Sequence, residues 1–156
     1  RSDAAAPRQH HARRWHGRKR PARTAASPAS RLAAGATFLT FIHPRALVGE
    51  RVRLGVGVVL CPGAIVSADV ELGDFAMVNL QSTVGHDARI GSWSTLSAHC
   101  DVTGRVQVAD RVFMGSRVSV IPGKKVGSRA VLGAGAVVIA DVPPGVTVVG
   151  NPGRIL

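Results

Sequence analysis

The stretch VGHDARIGSWSTLSAHCDV, residues 84–102, returns an aliphatic side chain at every sixth place: Val84, Ile90, Leu96 and Val102. Followed outward, the same period holds without an insertion through Val48, Leu54, Leu60, Val66, Leu72 and Val78 on one side, and through Val108, Met114, Val120, Val126, Leu132 and Val138 on the other. None of these sixteen positions is polar. The next residue is usually small or glycine, as at Gly49, Gly85 and Gly133, and the fifth of each six is small or branched, as at Val58, Ala76 and Ser82. A period of six matches neither a helix nor an independent two-faced strand. It fits a solenoid in which each six is a short strand plus a corner, and three sixes close a triangular coil of 18 residues. One repeat cannot bury its own apolar face, so a core forms only by stacking. About five coils at ~4.8 Å give a prism roughly 25 Å tall. Its narrow interior suits Val, Leu, Ile and Ala, which accounts for an aromatic content of only 4%.

This repeat, the His-Asp of Val84-Gly85-His86-Asp87 and the closing Val149-Gly150-Asn151-Pro152-Gly153-Arg154 resemble the hexapeptide-repeat acyltransferases. Within them the chain is similar to sugar O- and N-acetyltransferases of the sialic acid and bacillosamine type. The resemblance covers about Phe38 to Leu156. It implies an all-β fold, a left-handed parallel β-helix, although the usual crossover is right-handed. It also implies acetyl-CoA as acyl donor, a sugar or nucleotide sugar as acceptor, and a homotrimer with the donor lying between adjacent prisms. By the same resemblance His86 is the catalytic base and Asp87 the acidic neighbour that strengthens it. Thr95 stands where relatives often carry a second histidine on acetyl-CoA, and Gly115, Ser116, Gly133 and Ala134 match positions lining the CoA arm. For the glycines, tight corners are an equal reason.

The charge is uneven. Residues 1–31 hold nine of the twenty basic residues and only Asp3 of the nine acidic ones, leaving the rest of the chain a net +3 of the formal +11. Residues 1–37 therefore read as a basic, disordered tail, and 38–156 as the β-helix domain. Trp15 among arginines is the kind of interleaving that nucleic-acid arms use, and an Arg-rich, acid-poor start also fits a transit peptide. A truncated or misassigned start is the plainer account. Relatives commonly carry a small nucleotide-sugar-binding βαβ unit before the helix, and no stretch of this sequence reads as one.

Stacking places residues 18 apart on neighbouring rungs. The column through His86 reads Ala68, His86, Gly104, leaving open space around the imidazole. The adjoining column reads Arg51, Asp69, Asp87, Arg105, with an arginine on the outer side of each carboxylate. How Asp87 reaches the ring is not visible, because consecutive residues on a strand point apart. Phe75, Trp93 and Arg111 form an outward aromatic and cation column. Lys124 falls in an inward column with Ala88, Val106 and Val142, so either the strand bulges after Pro122-Gly123 or the last coil is open. Asp141-Val142-Pro143-Pro144-Gly145 breaks the period, so the chain is expected to leave the coil after Ile139, with Val146 to Val149 a separate short strand.

Pro44 belongs at an edge where the first coil begins, and His43 beside it reads as a capping polar residue. His99 reads as a surface residue. Cys61 and Cys100 are expected as free thiols in a reducing cytoplasm. Six histidines show no metal-ligand spacing, so no metal is expected. No run approaches the ~20 apolar residues of a membrane span. Two other functions use the same repeat: a metal-dependent module of the carbonic-anhydrase-like type or a scaffold, and an inactive fragment lacking its sugar-binding unit.

Overall fold

The computed structural model of the protein describes Ser27, Ser30 and residues 33–156, so the expectations placed on the basic tail lie almost entirely outside the described residues. The chain divides into Arg1–Ala36 and Thr37–Leu156. In the first unit the Ala34 N–H donates to the Ser30 carbonyl at 3.1 Å.

The second unit is the expected all-β parallel solenoid, of about six turns rather than five. The added length comes from both ends: Phe41–Ile42 already pairs with Val59–Leu60, one six before Val48, and the coil continues beyond Val138 through Val142 and Thr147–Val149. Strands of two residues fall on three faces. The first face runs from Phe41–Ile42 through Met77–Val78, Thr95–Leu96 and Phe113–Met114 to Thr147–Val149 and Arg154–Ile155. The second runs from Leu47–Val48 through Thr83–Val84 to Val137–Val138, and the third from Arg53–Leu54 through Arg89–Ile90 to Lys125–Val126. Register is 18 residues throughout the middle, as in Met77↔Thr95↔Phe113.

The repeated aliphatics fill the interior. From Leu60 to Val138 each is 3% exposed or less, while Val48 and Leu54, on the open first turn, are only partly covered. Two fifth positions are serines, fully buried. Each hydroxyl replaces apolar packing with a bridge: Ser82 Oγ donates to the Ser97 carbonyl at 2.7 Å and accepts the Cys100 N–H at 3.0 Å. Ser94 does the same with the Ala109 carbonyl and the Val112 N–H. Among the described residues no buried side-chain polar atom is left without a partner.

The corners are made by the fourth residue of each six. Eleven non-glycine residues there have φ between 54° and 63°, among them Asp69, Phe75, Asp87, Trp93 and Arg111. An L-residue pays roughly 1 kcal/mol or more for that conformation. Stacking holds it, since the corner N–H donates to the turn below: Asp87 to the Ala68 carbonyl at 3.2 Å, Trp93 to the Asp74 carbonyl at 2.8 Å.

The last turn corrects two expectations. Val142 forms a parallel bridge with Val126, and Val131–Leu132 pairs in parallel with Thr147–Val148. The spacing has dropped from 18 to 16 residues, so the chain stays in the coil after Ile139 with a corner two residues shorter, and Thr147–Val149 is the next rung of the first face rather than a separate strand. Because of that shortening Val142 stacks on Val126, not on Lys124. The strand at Lys124 does not bulge: Gln107↔Lys125 and Val108↔Val126 keep the register, and Lys124 is half-buried beneath a turn that contributes only the single bridge on this face. Openness at the end of the third face, not a bulge, keeps its ammonium near water.

Both thiols are free. Cys100 is 1% exposed, with its S–H directed at the Gly115 carbonyl 3.2 Å away, and burial pushes its thiol up from the ordinary cysteine range. Cys61 is only partly covered. The thiolate is the reactive form, so alkylation of native protein at neutral pH is expected to modify Cys61 and to reach Cys100 only on unfolding. Peptide mapping of the modified thiols, with and without denaturant, checks this order.

Candidate active site

Between the second and third faces the chain turns through Gly85, His86 and Asp87. Gly85 is required by close approach, since a Cβ there would lie 2.5 Å from the Gly104 nitrogen. His86 follows as an exposed corner residue, and Asp87 adopts φ 58°. That left-handed conformation resolves how two consecutive side chains meet. Neither residue is on a regular strand, and the Asp87 carboxylate swings back until Oδ2 lies 2.8 Å from His86 Nδ1. A carboxylate only accepts, so Nδ1 carries the proton, and in the neutral ring the lone pair is on Nε2.

The imidazole rests on Gly104, one rung above. A Cβ on Gly104 would meet Nε2 at 2.6 Å, Cε1 at 2.9 Å and Cδ2 at 3.0 Å. The space expected around the ring is therefore space the ring occupies on that side. One rung below, Arg51 grips Asp69 through two bonds of 2.7 Å. The Arg51 guanidinium, by that hydrogen bonding, holds the Asp69 carboxyl below the usual carboxylate range. Asp69 is thus committed away from the imidazole. The outer arginine expected for Asp87 does not engage it: among the described residues Arg105 makes no ion pair, and the partner of Asp87 is His86.

The other candidates sit elsewhere. Thr95 is half-buried on the outward side of the first face, between Met77 and Phe113. Gly115 is buried, Ser116 and Ala134 are exposed, and Gly133 is half-buried, all at the corner between the first and second faces. A Cβ on Gly115 would fall 2.6 Å from the Ala134 nitrogen, so tight stacking alone accounts for that glycine. One chain does not bring these five residues to His86; the width of the second face separates the two corners. His43 caps its turn, Nδ1 accepting the Arg45 N–H at 3.1 Å, and His99 is exposed. Among the described residues no three His, Cys, Asp or Glu side chains converge as a metal site, and no helix is long and apolar enough to cross a membrane.

No family model matches the sequence. Individual proteins do. GDP-perosamine N-acetyltransferase of Escherichia coli O157:H7 is 33% identical over 129 residues, which is 77% of this chain and 57% of that enzyme. PerB from Caulobacter crescentus, solved in complex with CoA and GDP-perosamine, is 38% identical with a TM-score of 0.79, over 82% of this chain and 63% of that one. The chain belongs to the hexapeptide-repeat acetyltransferases. The acetyltransferase domain of PglB from Neisseria gonorrhoeae, in complex with acetyl coenzyme A, shares the fold with a TM-score of 0.80 and 32% identity, over 82% of this chain and 62% of that domain. This hexapeptide-repeat chain thus spans less than two thirds of each of these relatives, and the left-handed coil is the part in common.

Within this hexapeptide-repeat corner, the 18-residue map found Ala68 and Gly104 beside His86 but not the direct seating of the ring on Gly104. Gly104→Ala is expected to push the imidazole off its seat and break the 2.8 Å contact with Asp87 while leaving the coil folded, because the added methyl meets a side chain and not backbone. Histidine ring NMR shifts in the variant, compared with His86→Ala and with unchanged far-UV circular dichroism, report the displacement.

Proposed function

We propose that this chain transfers the acetyl group of acetyl-CoA to an amine or hydroxyl of a nucleotide-linked sugar, with His86 as general base. One observation carries the reading: an exposed imidazole whose Nδ1 is held by Asp87 at 2.8 Å, leaving Nε2 free on a corner of the coil. PerB binds CoA and GDP-perosamine, the PglB domain binds acetyl coenzyme A, and the E. coli relative, an N-acetyltransferase, favours an amino sugar.

A hydroxyl or amine attacks a thioester poorly unless a base takes its proton as the bond forms. Nε2 of His86 takes that proton while the acceptor atom bonds to the thioester carbonyl carbon. Asp87 fixes the tautomer and stabilises the imidazolium through Nδ1–H. The tetrahedral intermediate then collapses, the carbon–sulfur bond breaks, and the imidazolium returns the proton to the departing CoA sulfur. A backbone N–H near the base would meet the oxyanion. The N–H of Gly104 donates to no backbone carbonyl among the described residues and is a candidate for that role.

Thr95, Gly115, Ser116, Gly133 and Ala134 are proposed to line the CoA arm. Thr95 lies on the first face and the other four at its corner with the second face, away from His86, so the complete site is assembled between two copies, with the corner of one prism facing the neighbouring corner of the next. A homotrimer supplies three such grooves and closes the assembly by rotation. Free thiols and use of acetyl-CoA fit the cytoplasm.

With acetyl-CoA and nucleotide-linked amino sugars, free-thiol release is expected to report turnover. His86→Ala should lower kcat by roughly 10²- to 10⁴-fold with acetyl-CoA affinity nearly intact, and Asp87→Asn should cost less. Near-parental turnover of His86→Ala on a confirmed acceptor would overturn the assignment of the base.

A further inference from the structure

The corner between the third and first faces holds planar groups that the proposed chemistry does not use. Phe38 meets Phe75 edge-on, with ring centroids 5.0 Å apart at 83°. Phe75 in turn stacks on Trp93, at 4.1 Å and 18°. The stack ends there. The next two places in the column are Arg111 and Arg129, both exposed, with φ of 59° and 60°. Among the described residues neither is in an ion pair, and no guanidinium is seated on the indole. A hollow of about 640 Å³ lies here, lined by Ser92, Trp93, Asp110, Arg111, Ser128 and Arg129. The carboxylate of Asp110 is already engaged, accepting the Ser92 N–H at 2.8 Å.

Three properties converge on one ligand chemistry. Two arginines whose backbones stand on adjacent rungs, about 4.8 Å apart along the stack, bring like charges together and gain by sharing an anion. Their forked donors match phosphate oxygens. An indole beside them offers a surface on which a nucleobase stacks.

We propose that this corner is a nucleotide site, in which a base continues the Phe38–Phe75–Trp93 stack and the phosphates bridge Arg111 and Arg129. The choice of ligand, though not the site, rests on the acetyl-transfer reading, which supplies two sources of this chemistry. These are the nucleoside diphosphate of the acceptor and the adenosine 3′-phosphate end of CoA.

The test uses the full chain carrying Trp15→Phe, so that Trp93 is its only indole. GDP and adenosine 3′,5′-bisphosphate are titrated separately against Trp93 fluorescence and by calorimetry, with inorganic pyrophosphate as control. Saturable quenching by a nucleotide and not by pyrophosphate is expected. GDP as the tighter ligand assigns the corner to the acceptor, and the bisphosphate assigns it to the donor. Arg111→Gln with Arg129→Gln should weaken binding by roughly tenfold or more, while Trp93→Phe, which preserves a stacking face, should bind nearly as the parent. Failure of both nucleotides to quench, or unchanged calorimetric affinity in the doubly substituted arginine variant with a native circular dichroism spectrum, overturns the proposal. His86→Ala should bind nucleotide as the parent does, while intact nucleotide binding by the parental chain with no acetyl transfer to any acceptor would sink the proposed reaction and leave this site standing.

Discussion

Each residue in the middle of this coil rests on the residue 18 before it and carries the residue 18 after it. That stacking constraint decides what may stand where. An inward column favours side chains that pack against their own kind, which is why the aliphatics at the first place are buried from Leu60 to Val138 and the inward serines Ser82 and Ser94 are tolerated only with their hydroxyls bonded. The same constraint holds unfavourable backbone. A lone arginine or tryptophan with positive φ would relax, whereas here, from Asp69 onward, the corner N–H of each non-glycine corner is tied to a carbonyl of the turn beneath. Strain in any one corner is offset by ladder bonds on both sides.

Much of this was legible in the sequence because the period converts position into neighbourhood. The columns through Leu60, Ile90 and Val138, the Phe75–Trp93 stack and the adjacency of Gly104 to His86 follow from counting. Counting failed where the count changed. Between Val138 and Val142 the chain shortens by two residues, so the expected neighbours of Lys124 and the fate of Thr147–Val149 came out wrong. Nothing in the residue types marks that step, since Asp141-Val142-Pro143 could equally end a coil as shorten one.

The meeting of His86 with Asp87 was hidden for another reason. Strand geometry sends consecutive side chains apart, and only the φ of Asp87 reverses this. The acidic residue of the pair is thus placed by the fold's own corner and not by a special loop. The other corners offer the same backbone, yet where Asp69 stands in that conformation an arginine claims the carboxylate. A histidine immediately before the left-handed residue, and a glycine one rung away to receive the ring, are what distinguish the site from its repeats.

The two ends of the stack are unlike. On the last turn Arg154–Ile155 runs antiparallel to Thr147–Val149 and covers the edge of the first face. At the opposite end, among the described residues, Phe41–Ile42 and Leu47–Val48 have strand neighbours on one side only, and Leu39, Phe41 and Leu47 are exposed. The coil consequently has a polarity as a building material. Modules of 18 residues could be added ahead of Phe41 in register, each rung finding a parallel template, whereas additions beyond Ile155 would meet a strand of the wrong direction on the first face. Lengthening such a protein by design, or by duplication over time, has an open direction and a closed one.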